Sequence, residues 1–256
     1  MKSISFEHGV EHVAVSDWED FVTFMGARLL FPHYVWRGQR DSAWRLEPTL
    51  DRILRKLGKA GDVRTANAHL MRFKRAIRGR RGTNPPEISS ENDWWALGQH
   101  HGLASPLLDG TESPFVAAFF AFESSAPGST GSRMVFAVSK TAVEIRSREI
   151  ARAHRGSARP PIVEFVEPFS NENPRLVNQR ALFTRTPSGM DLESWFRANF
   201  PRGHKHVRLR KYEVPETERE TALRSLNRMN INHSSLFPDL YGASKYANLN
   251  LEIARY

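Results

Sequence analysis

A chain of 256 residues with 40% hydrophobic and 25% charged content has the composition of a globular protein, long enough to bury a sizeable core in one large or two small domains. No apolar run nears the ~20 residues that cross a bilayer, so no membrane partner is expected. The absence of cysteine excludes disulfides, thiolate metal sites and a cysteine nucleophile, and is compatible with a cytoplasmic location.

The formal charge of +9 is localised. Asp51 to Arg81 holds eleven Lys or Arg against two Asp, and the rest of the chain is balanced. Such an excess is either a solvated helix face or the footprint of a polyanion.

The opening residues carry no basic segment followed by an apolar core, so no secretory signal is read there. Ser16-Asp17-Trp18-Glu19 has the form of a capping box. Trp18, Phe21, Val22, Met25 and Leu29 then recur at helical spacing to about Leu30, and Pro32 ends the helix. Tyr34 to Trp36 reads as a short strand. Gly38 reads as a positive-φ turn that leaves the Arg37 guanidinium at the strand end. A guanidinium held there is a planar fork for phosphate or carboxylate; an ordinary salt bridge would satisfy it equally well. Trp44 and Leu46 share one side of an extended piece, and Pro48 opens a helix.

Within the basic stretch Val63, Ala66, Leu70, Phe73 and Ile77 line one helix face, with Arg64, Arg72, Arg75 and Arg78 roughly opposite. The Gly- and Pro-rich loop 79–87 follows. Residues 51–90 therefore read as a basic helical insertion with a flexible loop. Arg72, Lys74, Arg75, Arg78, Arg80 and Arg81 are the candidates to hold nucleic-acid phosphates without reading sequence.

Ser90 can cap a helix that carries Trp94, Trp95 and Leu97 to about His101. Phe115 to Glu123 is apolar all round, which predicts a deeply buried helix. Pro114 fits its first turn, and Ala117, Ala118 and Ala121 would let neighbours approach closely. The loop 124–132 lacks the Lys-Ser/Thr ending of a phosphate loop. Strands are expected at Met134–Val138, Pro161–Glu167 and Arg180–Thr186, a helix at 191–199, and a half-exposed strand near Val207–Tyr212. A helix from Pro215 to about Met229, then a turn and a short helix, close the chain. With no internal repeat and no linker, the expectation is a single α+β domain over 1–256, with strand and helix elements in 1–31.

Residues 98–114, GQHHGLASPLLDGTESP, place Gln99, His100, His101, Asp109, Thr111, Glu112 and Ser113 between two apolar helices. Polar groups so held form a structural network or line a pocket. Asp109 and Thr111 as helix caps would also suit an anionic ligand. Metal binding is disfavoured: His100 and His101 are adjacent, His204 and His206 alternate on an expected strand amid basic residues, and no HExxH occurs. No GxSxG elbow marks a serine hydrolase.

Four blocks, YVWRGQRDSAWRLEPTL, LGQHHGLASPLLDGTESPFVAAFFAF, NPRLVNQRALFT and SLFPDLYGASKYA, run in this order from residue 34 to 247. Together they resemble the FRG domain, a bacterial and phage-encoded module named for its aromatic-Arg-Gly motif. Arg37-Gly38, Gln99-His100, Leu107-Leu108-Asp109, Thr111, Ser113-Pro114 and Gln179 match its pattern, while Ala104, Ser105, Pro106, Gly110 and Ala181 depart from it. The layout is similar to that of ADP-ribosyltransferases. The resemblance implies a mixed central β-sheet or split β-sandwich flanked by helices, with NAD as substrate.

It implies catalytic roles for Arg37 and for Gln179 or Glu164, and cofactor binding by Arg37, Gly38, Gln99, His100, Asp109, Thr111 and Ser113. A guanidinium would clamp the pyrophosphate, hydroxyls would orient the ribose, and a carboxylate or amide would steady positive charge as nicotinamide leaves. On this reading the chain is an NAD-dependent ADP-ribosyltransferase-like enzyme, a toxin or phage-defence effector acting on nucleic acid or protein, with an inhibitor or antitoxin protein as partner. The alternatives are a non-catalytic nucleic-acid or nucleotide-binding module and a scaffold whose polar blocks form a buried network. The enzyme reading requires Arg37 and Thr111 to line one cavity.

Overall fold

The computed structural model describes residues 1–27, 33–125, 131–167 and 174–256. Its first two strands, β1 (Lys2–Glu7) and β2 (Val10–Ala14), form an antiparallel hairpin. Periodicity hides it, because β1 is almost wholly exposed. Helix α1 (Trp18–Gly26) is capped by Asp17, whose carboxylate accepts the Asp20 amide, one residue later than a Ser16 capping box would place it. The expected end of that helix at Leu30, and residues 126–130 of the loop 124–132, lie outside the described residues.

Strand β3 spans Tyr34–Gln39, so Arg37 and Gly38 lie within a strand and not at a turn beyond it. Gly38 does not adopt a positive φ. What requires glycine is proximity. A Cβ there would lie 1.9 Å from the Ala117 carbonyl oxygen and 2.7 Å from the Ala121 amide, so helix α5 (Pro114–Phe122) lies directly on the strand backbone. That helix is buried, as its all-round apolarity predicts. Ser113 Oγ accepts the Val116 amide at its start, and Pro114 occupies the first turn.

Three helices, α2 (Thr49–Lys56), α3 (Val63–Ala76) and α4 (Glu91–His100), separate β3 from β4 (Leu107–Thr111). Strand β4 was not legible in the sequence, because Pro106, Asp109 and Gly110 are residues that strands usually avoid. Gly110 is again a matter of space: a Cβ would come within 2.7 Å of Val35 Cγ1. Beyond α5 follow β5 (Ser132–Ser139), α6 (Lys140–Ala153), β6 (Glu164–Val166), α7 (Pro174–Asn178), β7 (Ala181–Arg185), α8 (Leu192–Asn199) and β8 (Leu209–Pro215). A 3-10 turn, Glu216–Glu218, precedes α9 (Arg219–Arg228), α10 (His233–Leu236) and α11 (Leu240–Glu252). His204 and His206 lie before β8 starts and not on a strand.

The eight strands form one mixed sheet in the order β1-β2-β8-β5-β3-β4-β7-β6, with β2 and β8 parallel and the other neighbours antiparallel. Its two halves are joined weakly. Whereas β3 pairs with β5 over six positions, it meets β4 at the single pair Trp36–Thr111. A five-stranded half and a three-stranded half therefore part at a seam between β3 and β4.

One core, with Phe21, Phe119, Phe122, Tyr212 and Leu223, lies between the larger half and α1, α5 and α9. A second, with Phe136, Trp195 and Phe196, covers its other face. A third packs Leu50, Leu54, Leu70 and Trp95 from α2, α3 and α4 against Leu107 and Phe183 of the smaller half. The helices of residues 51–90 are thus docked on β4 and β7 by a core of their own.

Candidate functional site

The seam opens into a cavity of about 430 Å³. Trp36 to Gln39 of β3 and Leu107 to Thr111 of β4 form its floor. The ends of α2 and α4, the turn after β3, α5, β7, residues around α7, and Phe237 complete it. Arg37 and Thr111 both line it, as do Gly38, Gln99, His100, Asp109 and Gln179. Ser113 and Glu164 do not.

Arg37 spans the seam. Its Nη1 donates to the Asp109 carbonyl at 2.6 Å and lies 3.6 Å from the Asp109 carboxylate. The side chain is 26% exposed, and Nε is buried with no hydrogen-bond partner among the described residues. Burial holds the Arg37 pKa below its ordinary value; the Asp109 carboxylate opposes that shift, and the nearby charge of Arg52 adds to it.

Asp109 is held from its own half as well. Gln99 Nε2 donates to Asp109 Oδ1 at 2.5 Å, and Gln99 Oε1 accepts from the Ser105 hydroxyl, which in turn accepts the Leu107 amide. Ser105, a departure from the family pattern, is thus the buried anchor of a chain running Ser105–Gln99–Asp109–Arg37. The Asp109 side chain remains 67% exposed.

Thr111 Oγ1 donates to the Gln179 carbonyl at 2.7 Å and accepts the Ser113 amide at 3.1 Å, so it pins the segment before β7 to the seam. Gln179 Nε2 donates to the Leu236 carbonyl at 3.1 Å. Ser113 caps α5 away from the cavity. Glu164 sits on β6, two strands out from β4, where it pairs with Arg159 and accepts from Asn92. Of the two residues that the resemblance offers to steady the ribose charge, only Gln179 lines the cavity.

Several lining residues had no signal of their own in the sequence. Glu47 is engaged by Arg55 through two bonds, and Glu123 bonds His233 Nε2 at 2.9 Å. Arg175 pairs with Asp239 and lies 5.2 Å from the Phe237 ring and 5.7 Å from that of Tyr241. Arg52 donates to Thr49 Oγ1 at 3.3 Å. Arg40, Trp44 and Phe120 complete the rim. Burial, then the charges of His101 and Arg175, hold the His100 imidazole below its usual pKa, against the pull of Asp239. Basic groups, carboxamides and aromatic rings together suit a ligand with anionic and planar parts.

The basic face of α3 is a separate place. Arg72, Arg75, Arg78 and Arg80 are exposed and form no ion pair among the described residues. Lys74 and Arg81 instead fold over Trp94, at 4.9 and 5.7 Å from its ring, and Arg81 also donates to the Pro86 carbonyl. Helix α3 runs alongside α4: Phe73 packs near Gly98, and Lys74 covers Trp94. The His100–His101 and His204–His206 ring pairs stand 4.8 and 6.0 Å apart, and among the described residues no cluster of three His, Asp or Glu could hold a metal ion.

No curated protein and no solved structure matches the chain. The blocks around Gln179 and Leu236 lie outside the one span that a family model covers. That span, residues 32–129, carries β3, α2 to α4, β4 and α5, and with them Arg37, Gln99, Asp109 and Thr111; it matches the model of the FRG domain.

Proposed function

We propose that the seam cavity binds NAD and that the protein transfers its ADP-ribose group, in the manner of an ADP-ribosyltransferase. The observation that carries this reading is that Arg37 and Arg52 line one cavity, the first with a buried Nε that has no hydrogen-bond partner among the described residues. An unsatisfied buried donor is costly, and a pyrophosphate oxygen supplies the missing acceptor. The parting of the sheet beside Arg37 also suits a ligand laid between two half-sheets.

Arg37 and Arg52 would then hold the pyrophosphate, with Arg37 oriented by the Asp109 carbonyl. In the transfer the C1′–N bond breaks, its electron pair leaves with nicotinamide, and an acceptor nucleophile attacks C1′ and gives up its proton. Positive charge develops on the ribose meanwhile. Among the lining carboxylates Glu47 and Glu123 are engaged by Arg55 and His233; Asp109, held by Gln99 and Arg37 but 67% exposed, and the Gln179 carboxamide on the same cavity would face that charge. The Thr111 hydroxyl is spent on the Gln179 carbonyl, so its role is to hold the floor.

The test is nicotinamide release from NAD in the presence of nucleic-acid and protein acceptors. Release is expected from the native chain and not from Arg37→Ala, with thermal unfolding of the two alike. A native chain that neither consumes NAD nor gains melting temperature from it overturns the reading. The exposed Arg72, Arg75, Arg78 and Arg80, which form no ion pair among the described residues, favour a nucleic acid as acceptor, or as the ligand of a non-catalytic module. In the non-catalytic case binding survives Arg37→Ala and falls when Arg75 and Arg78 are neutralised.

A further inference from the structure

We propose that Trp44 is a stacking platform at the cavity mouth for the adenine of the dinucleotide. This rests on the NAD reading above and adds to it a residue that holds the base. Of the six tryptophans, Trp18, Trp36, Trp95 and Trp195 are buried and Trp94 is half-covered beneath Lys74 and Arg81; Trp44 is 45% exposed. An open indole that lines the same cavity as several guanidiniums offers a planar apolar face to a ligand there.

The turn that presents it is fixed, not loose. Asp41 Oδ1 accepts the Ala43 amide at 2.9 Å, and the Trp44 amide donates to the Asp41 carbonyl at 3.2 Å. The Ser42 amide reaches across to the Ser132 carbonyl at 3.2 Å, and Gln39 Nε2 holds the Arg45 carbonyl at 3.1 Å. Arg45 itself pairs with the buried Asp191, and the next residue, Leu46, is in the core. An aromatic ring delivered on a braced turn loses little entropy when a planar ligand settles on it.

Its surroundings fit a nucleotide. The Arg40 guanidinium carbon lies 5.4 Å from the indole centroid and adds a cationic, planar group beside the neutral ring. Thr49 and Arg52, at the start of α2, line the same cavity, with Arg37 on its floor. A purine on the indole would thus have guanidiniums within the same cavity for its phosphates. Stacking on an aromatic side chain is worth enough to measure, and it needs no hydrogen-bond match to the base.

Calorimetric titration of the full chain with AMP and with ribose 5-phosphate isolates the contribution of the base. AMP is expected to bind the native protein roughly five- to hundredfold more tightly than ribose 5-phosphate. Trp44→Leu should erase that ratio while leaving ribose 5-phosphate binding as it was, and Trp44→Phe should keep most of it. An unchanged ratio in Trp44→Leu overturns the proposal. So does Trp44-dependent binding of oligothymidylate by a protein that does not bind AMP. Should Trp44→Leu fail to fold, tryptophan fluorescence of the native chain decides: quenching by AMP and not by ribose 5-phosphate supports the platform, and no quenching by AMP overturns it. The two readings fail separately. NAD consumption with no base-dependent ratio removes the platform alone. A Trp44-dependent ratio with no NAD consumption removes the transferase and leaves a mononucleotide site.

Discussion

The molecule has positive charge in two places, and the two are built differently. On α3 and in the turn after it, Arg72, Arg75, Arg78 and Arg80 are exposed, and among the described residues no carboxylate holds them. At the seam, Arg37 is three-quarters covered, fixed to the Asp109 carbonyl, and backed by a chain of side chains reaching Ser105. Arg133 shows what a structural arginine looks like in this fold. It is fully buried, its Nη1 donates to the Ala121 carbonyl at 3.0 Å, and Glu216 takes the rest of its fork. Arg37 is placed with comparable care and left with a donor unused. Exposed charge binds by number and is screened by salt. A desolvated, oriented guanidinium binds by geometry. On the proposed function, therefore, a specific small anion belongs at the seam and a polyanion on the basic face.

The largest effect should come from disturbing the seat of the seam. In Gly38→Ala the new methyl meets the backbone of α5, which cannot swing aside as a flexible side chain would. A loss of at least about 3 kcal/mol is expected, read by denaturant unfolding. A stability within about 0.5 kcal/mol of the native chain would mean that α5 is not seated on β3 as described.

Next in size is the charge at the seam. Arg37→Ala should weaken NAD or ADP-ribose binding roughly ten- to hundredfold. Arg37→Lys should recover little of it, because a point charge cannot keep the Asp109 carbonyl and a phosphate oxygen in one planar fork. Full recovery by lysine would show that only charge matters there and would erase the contrast with α3.

How much of this was visible in the sequence follows the same division. Local pattern sufficed for α5, whose apolarity on every side could only mean burial, and for the two-faced α3. It failed at β4, where Pro106, Asp109 and Gly110 look like a loop; cross-strand packing against Val35 and β7 overrides that preference. It misread Gly38 as a turn, because the reason for the glycine is a helix eighty residues further on, and sequence spacing cannot report such a contact. For the site, the order of motifs that resembles the FRG domain was enough to bring Arg37, Gln99, Asp109, Thr111 and Gln179 together. Arg40, Trp44, Arg52, Arg175 and Glu123 join them only through topology, and Glu164 is carried away by it to the far edge strand.

The α3 face should respond to salt where the seam does not. Replacing Arg75 and Arg78 by Gln should lower the slope of log affinity against log salt for single-stranded nucleic acid by about 1.4, with unfolding changed by no more than about 0.5 kcal/mol. Affinity for NAD should stay as it was. A parallel loss of NAD binding would join the two regions into one site.

The smallest effect concerns His100, and its sign separates the free protein from the complex. Burial and the neighbouring charges of His101 and Arg175 hold its folded pKa below the ordinary histidine value. As pH falls through that ordinary value the unfolded chain takes up a proton that the folded chain refuses, so stability declines; below the folded pKa the decline stops. A pyrophosphate in the cavity reverses the preference by rewarding the imidazolium. NAD binding should then draw in a proton and tighten as pH falls from about 8 towards 6, by no more than about tenfold per pH unit. NAD suits the measurement because its pyrophosphate has no proton to lose in that range. Titrations in two buffers of different ionisation enthalpy read the proton uptake directly, and His100→Gln should abolish it. Binding that is independent of pH in the native chain would place the phosphates away from α4, and the contrast between the two cationic regions would then rest on Arg37 and Arg52 alone.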